Sequence, residues 1–463
     1  MIRATLRVLI IAGGLVTANS AWAQDVVVTA PPEAPAAAPE TPIAAPETPT
    51  PASETTPLAP QPELLAPDQA PPPAAVPATI QAQPLTQLDF FSTGRDTGLG
   101  EDVWKGSSAD IARAVIPGLA AKPLSPAAAG LARRLLAQAS TAPTGAGNDL
   151  DLAVARARAL LALGDAEDAS LVLDRTPGVA DHADLSGLAA EAALISEQDD
   201  KACHIADNLT DGRGGLYWLR LRAFCQARAG KADEAQLTFN LAGGEGGDAA
   251  TARLLGVFIA GMGDPGPPSL RDGLDYAVSR ALKLDLTPAL AFASPAVGRH
   301  WMLTNSNTAG VPDPPVGPLQ AASLVAGLAP APGQPDSAVL EQLIDRGARE
   351  TSPKARARLQ SAAAILASLG GDMSSAARAQ LAEFELGRSE TPPARLLALN
   401  IAAASGLKGE TALLALQIDQ SGGAAGPAPA DRCWIIRALD RVGFKNDAEA
   451  FAVEGLMALR PPS

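Results

Sequence analysis

The chain has 463 residues, about three ordinary domains' worth, so several domains or an elongated array is expected. Hydrophobic residues make up 47% but aromatics only 3%, a balance of Ala, Leu and Val that favours closely approaching helices over a β-sandwich. The formal charge of −14 argues against nucleic acid as a partner, because that affinity comes from Lys and Arg neutralising phosphates.

Residues 1–23 read as a secretory signal peptide. Arg3 and Arg7 form a positive start, "VLIIAGGLVTA" an apolar core, and "AWA" a small-residue cleavage site before Gln24. The mature chain is then exported, with a net charge of −16 once Arg3 and Arg7 are removed. The core is short for a membrane span, yet an uncleaved signal that tethers the protein to the inner membrane is the alternative. No Cys follows the signal core, against a lipoprotein, and no later stretch holds 18 uninterrupted apolar residues, so the mature chain is expected to have no integral membrane segment.

Residues 24–86 read as a disordered, acidic Pro/Ala-rich linker. Seventeen of the 41 prolines lie between Thr29 and Pro84, "APETP" occurs at 38–42 and 45–49, and no Lys or Arg stands between Arg7 and Arg95. Such a segment cannot bury enough apolar surface to offset the entropy of ordering it. In extended polyproline form its ~55 residues reach on the order of 170 Å. Glu33, Glu40, Glu47 and Glu54 recur every seven residues, but the prolines between them exclude a coiled coil.

Residues 87–145 read as an N-terminal helical region, a loop anchored by "LDFF" and Trp104 before helices near 108–119 and 126–139. Ser107 and Asp110 match a capping box, and Ser125-Pro126 sets a hydroxyl acceptor before a first-turn proline. The same pairing returns at Thr287-Pro288, Ser294-Pro295, Ser352-Pro353 and Thr391-Pro392, each predicted to start a helix.

Residues 146–268 carry a repeat. Gly230, Ala235 and Phe239 have counterparts at Gly164, Ala169 and Leu173, and midway between at Glu197, Ala202 and Ala206, a step of 33 residues. One further step reaches Gly263. Each copy reads as a helical hairpin: a Gly closes the first helix in a left-handed conformation, a small Ala lets the second helix cross closely, and a side chain four further on packs on the same face. One hairpin leaves its apolar face bare, so stacking is required.

Here the chain resembles the tetratricopeptide repeat family, on Gly230, Ala235, Phe239 and Ala242 of the third copy and the Leu255-Gly256 pair of the fourth. The family's first-helix aromatics are mostly missing, Glu197 replaces the second Gly, and Pro268 stands where the fourth copy needs its packing Ala. A looser series, Gly370, Gly406 and Gly443, follows in residues 336–463, with Gly443, Ala448 and Ala452 its best member. Residues 269–335 read as a Pro/Gly-rich connecting region holding one helix, near 269–284. The fold expected is all-α, a TPR-like α-solenoid behind a signal peptide and linker.

Cys203 falls on the second helix of one copy and Cys225 on the first helix of the next, with the turn at 211–215 about midway. They make a candidate disulfide in an oxidising compartment, with Cys433 left over; two buried free thiols are the alternative. Arg213, Arg220, Arg222, Arg228 and Lys231 form a basic cluster, readable either as a site for an acidic peptide, as the resemblance implies, or as a solvated helix face. His182, His204 and His300 show no metal spacing, and HExxH, CxxC, P-loop and GxSxG patterns are absent. "GGEGGD" at 243–248 reads as a flexible turn with Asp248 as helix cap rather than an anion cradle. No cofactor is expected.

The resemblance implies a non-enzymatic periplasmic interaction scaffold for an envelope protein or peptide. A helical platform for a cell-wall enzyme and a purely structural envelope protein are the competing readings.

Overall fold

The computed structural model describes residues 89–243, 248–305, 316–328 and 336–460. The expected signal peptide, the expected linker and the middle of "GGEGGD" lie outside the described residues. All the described residues belong to one unit, Ala82–Ser463. Among them every regular element is a helix, apart from two isolated bridges, Arg95 to Gln138 and Ser108 to Thr144. None of these helices is long and apolar enough to cross a membrane.

Two helices, α1 (Ala109–Leu119) and α2 (Pro126–Ala137), come first. The first series follows: α3 (Leu150–Ala162), α4 (Ala166–Arg175), α5 (Ala183–Ile195), α6 (Asp199–Asn208), α7 (Leu216–Arg228), α8 (Ala232–Gly243), α9 (Ala249–Ala260) and α10 (Gly273–Ala281). The remainder are α11 (Pro295–Asn305), α12 (Pro318–Ala326), α13 (Asp336–Arg349), α14 (Pro353–Ser368), α15 (Ser375–Ala382), α16 (Pro393–Ala404), α17 (Lys408–Asp419), α18 (Pro429–Arg441) and α19 (Lys445–Ala458).

The hairpin template is visible residue by residue. Gly164, Gly230, Gly406 and Gly443 all turn with φ between 70° and 89°, at the α3–α4, α7–α8, α16–α17 and α18–α19 joints. In the degenerate copy Glu197 holds the same place with φ 61°, one of two non-glycine residues among those described to do so. Five positions on from the template turns, Ala169, Ala202, Ala235 and Ala448 are each fully buried. A larger side chain there would push the two helices of the hairpin apart.

Several expected boundaries move. Ser108 caps α1, its Oγ accepting from the Asp110 amide, because Ser107 is buried facing the 144 segment; its carbonyl accepts from Thr144. Ser125 does cap α2 through the Ala128 amide. Thr287-Pro288 begins a 3-10 turn rather than an α-helix. After Thr391-Pro392 the helix starts at Pro393, since Thr391 is drawn into the core by the Asp431 carboxylate. Gly263 is a loop residue, not the hairpin turn: Gly261, with φ 66°, already ends α9, and Pro265, Pro267 and Pro268 keep the chain out of a helix until Gly273. The described residues of the interval 269–335 include three α-helices, α10, α11 and α12, rather than one.

The order of packing differs from the order of the chain. α1 rests on α3 on one side and α17 on the other, and α2 touches α17 and α19, so the N-terminal helices sit between the two series. α14 packs on α18 and α19 as well as on its chain neighbour α13, and α12 on α19 and α14. Carboxylates of the second series satisfy amides at the starts of the first helices: Glu410 accepts from Ser108 N (3.0 Å), Asp419 from Ser125 N (2.9 Å) and Glu454 from Ala127 N (2.7 Å). Such amides have no partner inside their own helix, and negative charge is favoured beside them. Gly409 lets α17 meet the Trp104 ring, and its amide donates to Val103 O at 2.7 Å.

A buried cation fixes the segment before α1. Arg156 on α3 donates to the carbonyls of Leu136 (2.6 Å), Thr93 (2.7 Å) and Phe91, with its guanidinium 4.8 Å from the Phe91 ring centre. Burial pulls its pKa down to about 10.

Candidate functional site

Of the five cations of the expected basic cluster, Arg222, Arg228 and Lys231 line one groove, and Arg213 and Arg220 are not part of its lining. Arg228, at the end of α7, binds Asp199 (2.9 Å) and Asp200 (3.0 Å) at the start of α6, and its guanidinium stands over the Phe224 ring. Lys231, just before α8, pairs with Glu234 in its first turn (3.5 Å). Arg222 donates to the carbonyl of Arg213, and burial, then the Arg213 charge, lower its pKa. Arg220 is half-buried on α7, where its charge acts on Asp272. Among the described residues, Arg228 and Lys231 of this run are in ion pairs, and only those of Arg228 join two helices.

Beside them lies a groove of about 570 Å3 between α6 and α7. Arg222, Arg228 and Lys231 line it together with Asp200, Asp207 and Glu234, three cations against three carboxylates. Such balance gives no net attraction for an acidic ligand. Cys203 and Cys225 form its floor as a disulfide with Cα atoms 5.5 Å apart, while Cys433 is a half-buried free thiol.

The three histidines are scattered. His204 meets Asn208 (2.9 Å), His182 sets its edge against Phe90 (ring centres 5.6 Å), and the buried His300 lies 3.3 Å from Gly164 O. Among the described residues no group of His, Cys, Asp or Glu is placed to hold a metal ion.

A second surface, on the C-terminal series, has a different character. A groove of about 470 Å3 lies between α14, α15 and α18. Its apolar walls include Ala364, Met373, Leu381, Leu386 and the Trp434 ring, and the charged side chains lining it, Arg378 and Arg437, are both cations. On the other flank of α18 a groove of about 390 Å3 runs against Asn400 and Ala403 of α16 and shares Trp434 and Arg437. Trp434 is 47% exposed, and Leu397 (59%) and Ile401 (55%) stand one turn apart on α16. Cys433 faces the first groove, its thiol pushed up by burial.

Local chemistry holds this surface open. The buried Asp431 in the first turn of α18 accepts from Thr391 N and Oγ1 (3.2 and 2.9 Å) and Glu390 N (3.1 Å), pinning the strap before α16. Arg432, one residue on, binds Glu454 (2.8 Å) and Phe451 O (3.1 Å) and ties α18 to α19. With 431, 432, 435, 436, 438 and 439 turned inward, Trp434, Arg437 and Arg441 are left outward. The sequence reading missed this site. Its signal was a Trp off the apolar stripe of "PADRCWIIRALDR", followed by Arg at +3 and +7.

The chain matches no protein-family model, no curated protein and no solved structure. What the coordinates establish is an all-helical protein with many helices packed on one another, compatible with a helical repeat.

Proposed function

We propose that the chain is a non-enzymatic interaction scaffold of a bacterial cell envelope. In this reading it is exported through its N-terminal segment, works in the periplasm, and presents tetratricopeptide-like hairpins to a partner protein or peptide. The observation that carries the reading is the hairpin template itself: left-handed turns at Gly164, Glu197, Gly230 and Gly443, each followed five residues later by a fully buried Ala. Stacked hairpins of this kind spend one face on each other and leave a row of helix faces for binding. The Cys203–Cys225 bridge supports the exported address, because such bonds persist in oxidising compartments.

The test is capture from cross-linked envelope fractions with the full chain carrying a C-terminal tag. A protein recovered in near-equal amount is the expected result. Recovery of no partner, together with digestion of purified peptidoglycan by the same preparation, would replace the scaffold with an enzyme.

A further inference from the structure

We infer that the paired grooves astride Trp434 form a docking site for an extended acidic peptide of a partner protein, its apolar side chains against Trp434 and its carboxylates on Arg437 and Arg378. This inference rests on the scaffold reading and adds to it the place and the chemistry of the partner.

Charge is the first argument. In a chain with 50 acidic and 36 basic residues, the charged lining of the α14–α15–α18 groove is wholly cationic. Neither guanidinium is in an ion pair among the described residues. Arg378 donates only to the Met373 carbonyl, and Arg437 has no hydrogen-bond partner there. Arg228, Arg280 and Arg432, by contrast, all bind carboxylates of their own chain. A carboxylate reaching Arg437 would be the first to meet it, and it would do so beside apolar walls that strengthen the contact.

Shape is the second argument. Trp434 and Arg437 line both grooves, one toward α15 and one toward α16. A compact molecule fills one of them. An extended chain crossing α18 fills both, and it continues onto Leu397 and Ile401, whose exposure has no role in this chain's own core. Exposed Trp and Arg side chains are also among the residue types enriched at the hot spots of protein interfaces. A nucleic-acid strand of similar reach is disfavoured, because its affinity would need many phosphate contacts from Lys and Arg and the chain as a whole is anionic.

The α6–α7 groove differs in its charge. That groove offers three cations, but three carboxylates line it as well and Arg228 and Lys231 are already paired with two of them, so an acidic peptide there would have to displace existing pairs.

The experiment is selection of a displayed library of random short peptides on the full oxidised chain, followed by fluorescence anisotropy of the recovered sequences. The expected outcome is enrichment of peptides combining Asp or Glu with Leu, Pro or aromatic residues. Binding should weaken about tenfold or more in Trp434→Ala and in Arg437→Glu. Both side chains are exposed, so both variants are expected to keep the wild-type circular dichroism and melting curve. Arg222→Glu, in the charge-balanced groove, is expected to leave binding unchanged. Enrichment of basic or uncharged peptides, equal binding to wild type and Arg437→Glu, or no saturable binder at all would each overturn the site. An envelope protein captured equally by wild type and Arg437→Glu leaves the scaffold standing while removing this groove. Selected peptides that bind as described, with no envelope protein captured, leave the groove and remove the scaffold.

Discussion

Glu197 turns the chain between α5 and α6 in the left-handed region, and its Oε1 accepts a 2.8 Å hydrogen bond from the Tyr276 hydroxyl on α10. The residue occupies the template's glycine position while tying the hairpin to a third helix. A Cβ in this conformation costs about 1–2 kcal/mol, and a hydrogen bond to a charged group returns about the same. Glu197→Gly alone is therefore expected to be close to neutral. In a Tyr276→Phe background, where the bond is already gone, it should stabilise the protein by about 0.5–1 kcal/mol in urea denaturation, after the entropy of the added glycine. Loss of stability in both backgrounds would show that the turn is unstrained.

Gly409 and Gly130 make a matched pair. Both lie inside helices, where Ala normally stabilises by about 1 kcal/mol. Nothing lies within 4 Å of a Cβ added at Gly130, whereas one added at Gly409 would strike the Trp104 ring and the Val103 carbonyl. Gly130→Ala should raise the melting temperature. Gly409→Ala should cost about 2 kcal/mol and speed hydrogen exchange in α1, because α17 can no longer seat against it. A gain from both would mean that α17 does not approach Trp104 this closely.

The pH dependence of stability should run opposite to the usual acid loss between about pH 5 and 8. Burial, then the Asp272 charge, pushes Glu191 up to about 7; burial, then Asp168, pushes Asp165 up to about 6; burial again raises Asp419 to about 6. In the unfolded chain these carboxyls titrate near 4. Their contribution is fully present below about pH 4 and is lost as pH rises through 6 and 7, because only the folded state still holds the protons there. Chemical denaturation at pH 5.5 should thus give a higher stability than at pH 8 (~25 °C). Glu191→Gln should flatten the upper part of that slope. A slope of the other sign would place these groups in contact with water.

Reduction should weaken the α6–α7 joint. The bridge closes a separation of 22 residues, worth about 3 kcal/mol by restriction of the unfolded chain. Cys203→Ser with Cys225→Ser is expected to lose about that amount, and Cys433→Ser very little. Mass spectrometry of non-reduced peptides from protein recovered from the periplasm should show 203 linked to 225. Free thiols at both positions would refute the pairing.

The exported reading predicts that the protein recovered from the periplasm begins at Gln24 by N-terminal sequencing. Met1 retained in a membrane fraction would turn the N-terminal segment into a tether.

What the sequence determined by itself is local. A left-handed turn and a close helix crossing are demands on single residues, so Gly164, Gly230 and Gly443 with Ala169, Ala235 and Ala448 announced the hairpins, and the register they set placed Cys203 beside Cys225. Helix starts were legible to within a residue or two wherever a hydroxyl caps its own helix, as at Ser125. They slipped where a distant group intervened, as Asp431 does at Thr391. What only the tertiary structure decided is which surfaces meet across long stretches of chain. α1 lies against α17, some 300 residues away, because Glu410 and the Gly409–Trp104 contact select that partner. No periodicity encodes such a choice, since an apolar stripe fits many neighbours equally well. Adjacency in sequence showed five like charges around Arg228 for the same reason, and only folding set Asp199 and Asp200 of the preceding helix against it. Trp434 and Arg437 became a site only when α14 and α15 were brought alongside α18, and a groove, unlike a turn, is made of the space between elements rather than of any one of them.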